Sequence, residues 1–184
     1  MRSVACSLAS AVLVLAAGCA GETKTETRVV TVRETVEVPA LSPQPGLPSD
    51  VAEKREEIWR TAKAGDYAAI ERLIDPNEFE YTFGGPVEGG PVAYWRRLEE
   101  TTDERPLDVL RKILEMPYAT ERGIYVWPFA FNRDLKTLTS AERAMLHTIM
   151  TPRELQLMER FDGYIGWRAG IRPDGSWIYF VSGD

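Results

Sequence analysis

Cysteine occurs twice in this 184-residue chain, and histidine once. Both cysteines, Cys6 and Cys19, lie near the start, so everything after residue 19 is free of thiols. That excludes a disulfide framework, a thiolate nucleophile and a cysteine metal cluster from the body of the protein. One histidine, His147, cannot build a multi-histidine metal site. No Gly-x-Ser-x-Gly elbow accompanies it to make a serine triad. Basic residues are also in short supply: 22 Lys and Arg stand against 28 Asp and Glu, a net charge of −6. A scattered acidic excess argues against nucleic acid as a partner and against polybasic adhesion to anionic lipid. The chain has no phosphate-cradling loop ending in Lys-Ser or Lys-Thr. No cofactor is expected. Long apolar runs are missing too. The most apolar stretch, Val4 to Ala17, is shorter than the roughly 20 residues of a membrane-spanning helix.

That stretch has the order of a secretory signal: Arg2, then an apolar run, then the small residues Ala16-Ala17-Gly18. The sequence Leu15-Ala16-Ala17-Gly18-Cys19 resembles the lipobox of bacterial lipoproteins, with Ala16 where those signals often carry Leu. The resemblance implies a signal peptide over residues 1–18 and lipidation at Cys19. It also implies a bacterial cell-envelope address, with the protein lipid-anchored outside the cytoplasmic membrane.

Residues 19–49 read as the lipidated Cys and an extended tether. Thr23, Thr25, Thr27, Thr31 and Thr35 alternate with charges and valines, and Pro39, Pro43, Pro45 and Pro48 follow. Prolines at this density favour extended chain and oppose helix. Some thirty extended residues reach on the order of 100 Å. Residues 50–184 then form a single globular domain by length, with enough chain for a core without staples.

Within that domain the patterns alternate between helical and strand periods. Asp50 and Glu53 suggest a capping box opening a helix to about Ala64, with Ile58, Trp59 and Ala62 inward. Gly65 ends it, and Asp66 caps a short helix through Ile74. Glu78 to Phe83 alternates strictly and predicts a strand. Pro91 opens a helix with Val92, Trp95 and Leu98 inward. Another helix spans Pro106 to Glu115, burying Leu107, Leu110, Ile113 and Leu114. Ile124 to Trp127 reads as a short buried strand. Capping boxes at Thr139–Glu142 and Thr151–Glu154 start two more helices. On the first of these, Ala141, Ala144, Met145 and Ile149 are the expected inward set, which turns His147 outward.

The strongest strand pair is Tyr164–Ile171 with Trp177–Val181, joined through Pro173-Asp174-Gly175 with Arg172 opposite Ser176. Simple alternation places Trp167, Ala169, Ile171, Trp177, Tyr179 and Val181 on one face. Gly166, Arg168, Gly170, Ile178 and Phe180 fall on the other. The expected fold class is α+β: a small, mainly antiparallel sheet packed against several helices, ending in a β-hairpin.

Four features carry the candidate sites. The duplication Gly84-Gly85-Pro86-Val87 and Gly89-Gly90-Pro91-Val92 lets backbone approach a ligand closely, although such loops also serve as simple turns. Arg168, between Gly166 and Gly170, has the chemistry to hold an anionic ligand. It is equally suited to pairing with Asp162 or Glu159, or to stacking on Phe180 or Trp177. Glu78 and Glu80 share one side of the predicted strand, a disposition compatible with carboxylate glycoside chemistry but also with a plain solvated face. Trp59, Trp95, Trp127 and Trp167 fall in apolar patterns and read as core, whereas Trp177 and Tyr179 on the hairpin are candidate contacts for a partner.

Ala62-Lys63-Ala64-Gly65-Asp66-Tyr67, together with Phe79 to Phe83, resembles small secreted domains of the nuclear-transport-factor-2-like type. The long run of C-terminal strands expected of that type is missing. The ending Tyr164-Ile165-Gly166-Trp167-Arg168 and Asp174-Gly175-Ser176-Trp177 is similar to bacterial envelope proteins, and the similarity implies no activity. No catalytic residue and no metal ligand is assigned. The sequence points to a lipid-anchored, extracytoplasmic binding or assembly module. Its surface of contact joins Gly84, Gly85, Gly89 and Gly90 to Arg168, Trp177 and Tyr179. The partner would be an envelope protein, a peptide or a glycan. A carboxylate-based envelope hydrolase acting on glycan is the second reading, and a small-ligand carrier the third.

Overall fold

The computed structural model describes residues 41–183; the expected signal peptide, Cys19, the expected tether up to residue 40 and Asp184 lie outside the described residues. Among the described residues, helices α1 (Ser49–Lys63), α2 (Tyr67–Arg72), α3 (Gly90–Thr101) and α4 (Pro106–Glu115) come first. Strands β1 (Ala119–Glu121) and β2 (Ile124–Trp127), helices α5 (Ser140–Leu146) and α6 (Pro152–Phe161), and the hairpin β3 (Arg168–Ile171) and β4 (Trp177–Val181) follow. The strands form one antiparallel sheet in the order β1-β2-β3-β4. The chain is thus an α+β fold with a C-terminal hairpin. No helix among the described residues is long and apolar enough to cross a membrane.

Helical spacing builds the main core. Helix α1 buries Val51, Ile58, Trp59 and Ala62 along one stripe, and α4 buries Leu107, Leu110, Ile113 and Leu114. Trp95 from α3 meets Phe79, Trp177 and Phe180 edge-on or stacked, with ring centroids 5.4–6.5 Å apart. Rings at such separations contribute beyond their buried area. A second, smaller core gathers Phe129, Leu135, Leu138, Leu146, Leu155 and Met158 from the stretch between β2 and β3.

The helix starts are mixed. Thr139 and Thr151 both form complete capping boxes, with Glu142 and Glu154 reaching back. Asp66 accepts the Ala69 N–H at 3.0 Å and caps α2. The box expected of Asp50 and Glu53 does not form, because α1 begins two residues earlier, after Pro48. Asp50 sits instead inside the first turn, where its charge favours the helix dipole. On α5 the inward residue is Leu146; Ala141 and Ala144 are exposed. That helix stops at Leu146, leaving His147 as its exposed C-cap.

Three further expectations are corrected. Packing extends before residue 50, to Leu41, the first described residue. Leu41 is buried, Gln44 Nε2 donates to the Met116 carbonyl at 2.6 Å, and Trp127 Nε1 donates to Gln44 Oε1 at 3.1 Å. The Tyr118 hydroxyl donates to the Pro45 carbonyl at 3.0 Å. The stretch from Glu78 to Phe83 is not a strand; its backbone pairs with the sheet only through one parallel bridge between Glu80 and Tyr179. Turns on either side consume its backbone partners. The Glu78 and Phe79 N–H groups donate to Asp75, and the Gly84 N–H donates to the Thr82 hydroxyl. Only Glu80 remains to exchange bonds with Ile178 and Phe180, at 2.9 and 3.0 Å.

The third correction concerns the hairpin faces. The loop closes as expected, with the Arg172 N–H donating to Ser176 and Gly175 at φ +82°. Beyond it, Ile171 pairs with Trp177 but Gly170 pairs with Tyr179, so Ile178 is an extra residue in a bulge. The bulge lets Trp177 and Phe180, three residues apart, both enter the main core with Ala169 and Ile171. Tyr179 and Val181 move to the other face with Arg168 and Gly170. A regular period of two could not bury both aromatic residues.

Candidate functional site

The face released by the bulge is a cleft. Arg168 and Tyr179 form its floor, Phe83 and Phe131 flank it, and Glu80 and Glu121 stand at its mouth. Its volume is about 440 Å³. The Arg168 guanidinium carbon lies 5.1 Å from the Phe83 ring centre and 5.5 Å from that of Phe131, a cation between two aromatic faces. Arg168 also donates to the Gly183 carbonyl at 2.9 Å. It therefore stacks on neither Phe180 nor Trp177. Asp162 and Glu159 are engaged elsewhere, with Lys136 at 2.8 Å and with Arg143.

The space beside the hairpin glycines is not open for a ligand. A Cβ on Gly170 would stand 2.3 Å from Tyr179 Cζ, and one on Gly166 would stand 2.7 Å from the Tyr164 hydroxyl. Each glycine is a seat for a tyrosine ring, which packs flat against the bare backbone. Burial pushes the Tyr179 hydroxyl up to about 12, Glu121 and Glu80 add to the shift, and Arg168 opposes it. Tyr179 is thus a neutral hydrogen-bonding phenol at physiological pH.

One wall of the cleft has no counterpart in the sequence reading. Strand β1 and the turn at Arg122-Gly123, with φ of 49° and 84°, bring Glu121 and Arg122 to the mouth. Two consecutive left-handed residues make the tight turn that matches sheet twist. Gly123 was the available signal, but Arg is an unusual partner in such a turn, and a three-residue strand shows no periodicity.

The Gly-Gly-Pro loop borders a second cleft of about 550 Å³, lined by Ile74, Phe79, Tyr81, Gly85, Pro86 and Gly90 among others. Gly85, Gly89 and Gly90 all have positive φ, between +73° and +86°, and Gly89 is the N-cap of α3. Gly84 is an exposed neighbour in the same loop. The Tyr81 hydroxyl accepts the Val87 N–H at 2.7 Å and donates back to the Val87 carbonyl at 3.2 Å, closing the loop into a ring. Phe83 and Glu80 line both clefts. Phe83 forms the ridge between them, 50% exposed.

The remaining predicted residues are dispersed. Trp177 is 4% exposed, donates its indole N–H to the Tyr179 carbonyl at 3.0 Å, and belongs to the core rather than to any contact surface. All five tryptophans are buried. Glu78 turns away from Glu80 and pairs with Arg172 at 2.6 Å. Cys19 lies outside the described residues. Among the described residues, no group of three or more His, Cys, Asp or Glu side chains is disposed to hold a metal ion.

No protein family model, curated protein or solved structure matches this chain.

Proposed function

We propose that this protein is a lipid-anchored binding module of the bacterial envelope that grips an extended ligand, a peptide or glycan strand, across the paired clefts around Phe83. The observation that carries this reading is the exposed Phe83 ring, shared by two adjoining clefts and backed by the Arg168 guanidinium. Aromatic faces bordered by a few charged groups bind such ligands by stacking plus directed hydrogen bonds. The contact surface joins the Gly84–Gly90 loop to Arg168 and Tyr179, leaving out Trp177. The envelope address rests on the Cys19 lipobox.

The test is site-directed photo-crosslinking in native membranes. Benzoylphenylalanine replaces Phe83 in the full chain, and Thr137 in a control. Position 83 should yield one discrete adduct whose mass separates a peptide from a glycan, and Tyr179→Ala should abolish it. Identical ladders from both positions, or none from position 83, would refute the reading.

A second reading is favoured by one feature: Glu80 and Glu121 share the cleft with Arg168. Two carboxylates beside one cleft are the minimum for glycoside hydrolysis. Both are exposed, without the apolar enclosure on which a general acid depends. If the protein is a hydrolase, Glu80→Gln and Glu121→Gln each lower turnover of an envelope glycan about a thousandfold; glycan left intact by the parent chain removes this reading.

A further inference from the structure

A larger groove lies away from Phe83, with a volume of about 780 Å³. It runs between the α3–α4 loop, α4, the α5–α6 connection, α6 and the segment entering β3. Its floor is apolar: Val109, Ile149, Met150, Met158 and Ile165, with Leu157 at the edge. Leu157 is 41% exposed, and Phe161, one turn further along α6, is 74% exposed. Residues four apart on a helix are neighbours. Helix α6 therefore buries Leu155 and Met158 while holding Leu157 and Phe161 outward, Leu157 at the edge of the groove. Large side chains exposed beside an apolar groove mark a contact surface.

The rim supplies the sign of the partner. Asp108 is neutralised by Arg111 at 2.9 Å and Lys112 at 2.7 Å. Asp103, Glu104 and Glu154 are in no ion pair among the described residues. Glu104 accepts only the neutral Trp167 indole N–H, at 3.1 Å. Glu154 accepts the Thr151 N–H of its own capping box at 2.6 Å. Against these three carboxylates stands Arg105, whose guanidinium is turned to backbone carbonyls of its own loop, the closest being Glu104 at 2.7 Å. The groove is apolar below and anionic around.

We propose that this groove docks a basic amphipathic helix of a partner protein, its apolar side chains on Leu157, Met150 and Ile149 and its Lys or Arg residues against Asp103, Glu104 and Glu154. Apolar contact provides the affinity, and the carboxylates set orientation and encounter rate. This docking does not depend on any ligand at Phe83.

The probes are three fluorescein-labelled amphipathic helical peptides with one common leucine face and a polar face of Lys, Gln or Glu. Binding to the full chain carrying Cys19→Ser is read by anisotropy. The Lys peptide should bind at least about tenfold more tightly than the Gln peptide, the Glu peptide should bind weakest, and high salt should narrow the gap. Leu157→Glu should weaken the Lys peptide at least about tenfold by placing a charge at the apolar contact. Asp103→Lys should erase the preference for the Lys over the Glu peptide, because it leaves two free carboxylates facing two cations. Both sites are exposed, and unchanged circular dichroism and melting temperature confirm that the fold is kept. Equal binding of all three peptides, no binding, or indifference to Leu157→Glu overturns the proposal. So does a parent chain that sediments as a dimer which Leu157→Glu dissociates, because the occupant is then a second copy.

Discussion

Arg55 is 3% exposed and makes no ion pair among the described residues. Its Nε and Nη2 donate to the Leu114 carbonyl at 2.9 and 2.6 Å, and Nη1 donates to the Ser42 carbonyl at 3.0 Å. The guanidinium carbon also lies 5.9 Å from the Trp127 ring centre. Burial lowers its pKa to about 10, against the opposing pull of Glu115 and Glu56, so it stays charged at neutral pH. One planar fork thereby satisfies carbonyls of α4 and of the segment before α1. Arg55→Ala should cost about 3 kcal/mol in urea unfolding, through the cavity and the stranded carbonyls. Arg55→Lys should recover less than half of that, since an ammonium cannot span both acceptors.

The buried tyrosines make a pH prediction at the same scale. Burial raises the pKa of Tyr164 and Tyr67 well above the ordinary value, and that of Tyr179 to about 12. The unfolded chain gives up these protons near pH 10 while the folded chain keeps them. A folded state that binds more protons loses stability as pH rises. The tyrosine contribution is complete below about pH 10 and declines through the Tyr179 value of about 12. Arg55 acts in the opposite sense over much of the same range. Urea midpoints measured from pH 9 to 12 should therefore fall, and Tyr179→Phe should flatten the fall. A midpoint that rises with pH would refute the assignment.

At the scale of elements, the hairpin is the instructive case. Tyr179 occupies the space that a side chain at Gly170 would need. Gly170→Ala should destabilise by about 2 kcal/mol through overpacking. In the Tyr179→Ala background the same substitution should cost far less, a coupling that a double-mutant cycle measures directly. The pairing of these strands and the loop at Arg172–Ser176 were legible from turn chemistry and from alternation. Their faces were not, because a bulge is a tertiary compromise: Trp177 and Phe180 must both reach Trp95, and only an extra residue permits it. Helices α1, α3, α4 and α6 were legible because their apolar stripes run for three turns or so. Strand β1 was too short to show a pattern, and Glu78–Phe83 showed the pattern of a strand without a partner over its length. Arg168 was identified by its glycine neighbours, although those glycines serve tyrosine rings. The aromatic clamp that actually defines its cleft comes from Phe83 and Phe131, distant in sequence and brought together only by the fold.

At the scale of the whole molecule, the described residues gather into two cores, and the first of them are sewn to the middle of the chain. Leu41, Ser42, Gln44 and Pro45 contact α1, the end of α4 and β2. A chain lacking residues 1–40 keeps all of these contacts and is the reference. Removing residues 1–48 should lower stability by about 2–4 kcal/mol, from the lost Leu41 burial and several lost hydrogen bonds. Equal midpoints for the two truncations would restore the boundary at residue 50. The bulged strand has one more consequence. Trp177, Phe180 and Ile171 close a core most of whose other members come from α1 to α4, more than fifty residues earlier in the chain. A ribosome delivers those helices first, with Ile58, Trp95 and Leu110 still facing solvent. The main core cannot close until Phe180 emerges, so folding is a late event; under the proposed envelope address, an export machine that accepts only unfolded chains would have the whole length of synthesis in which to take this one.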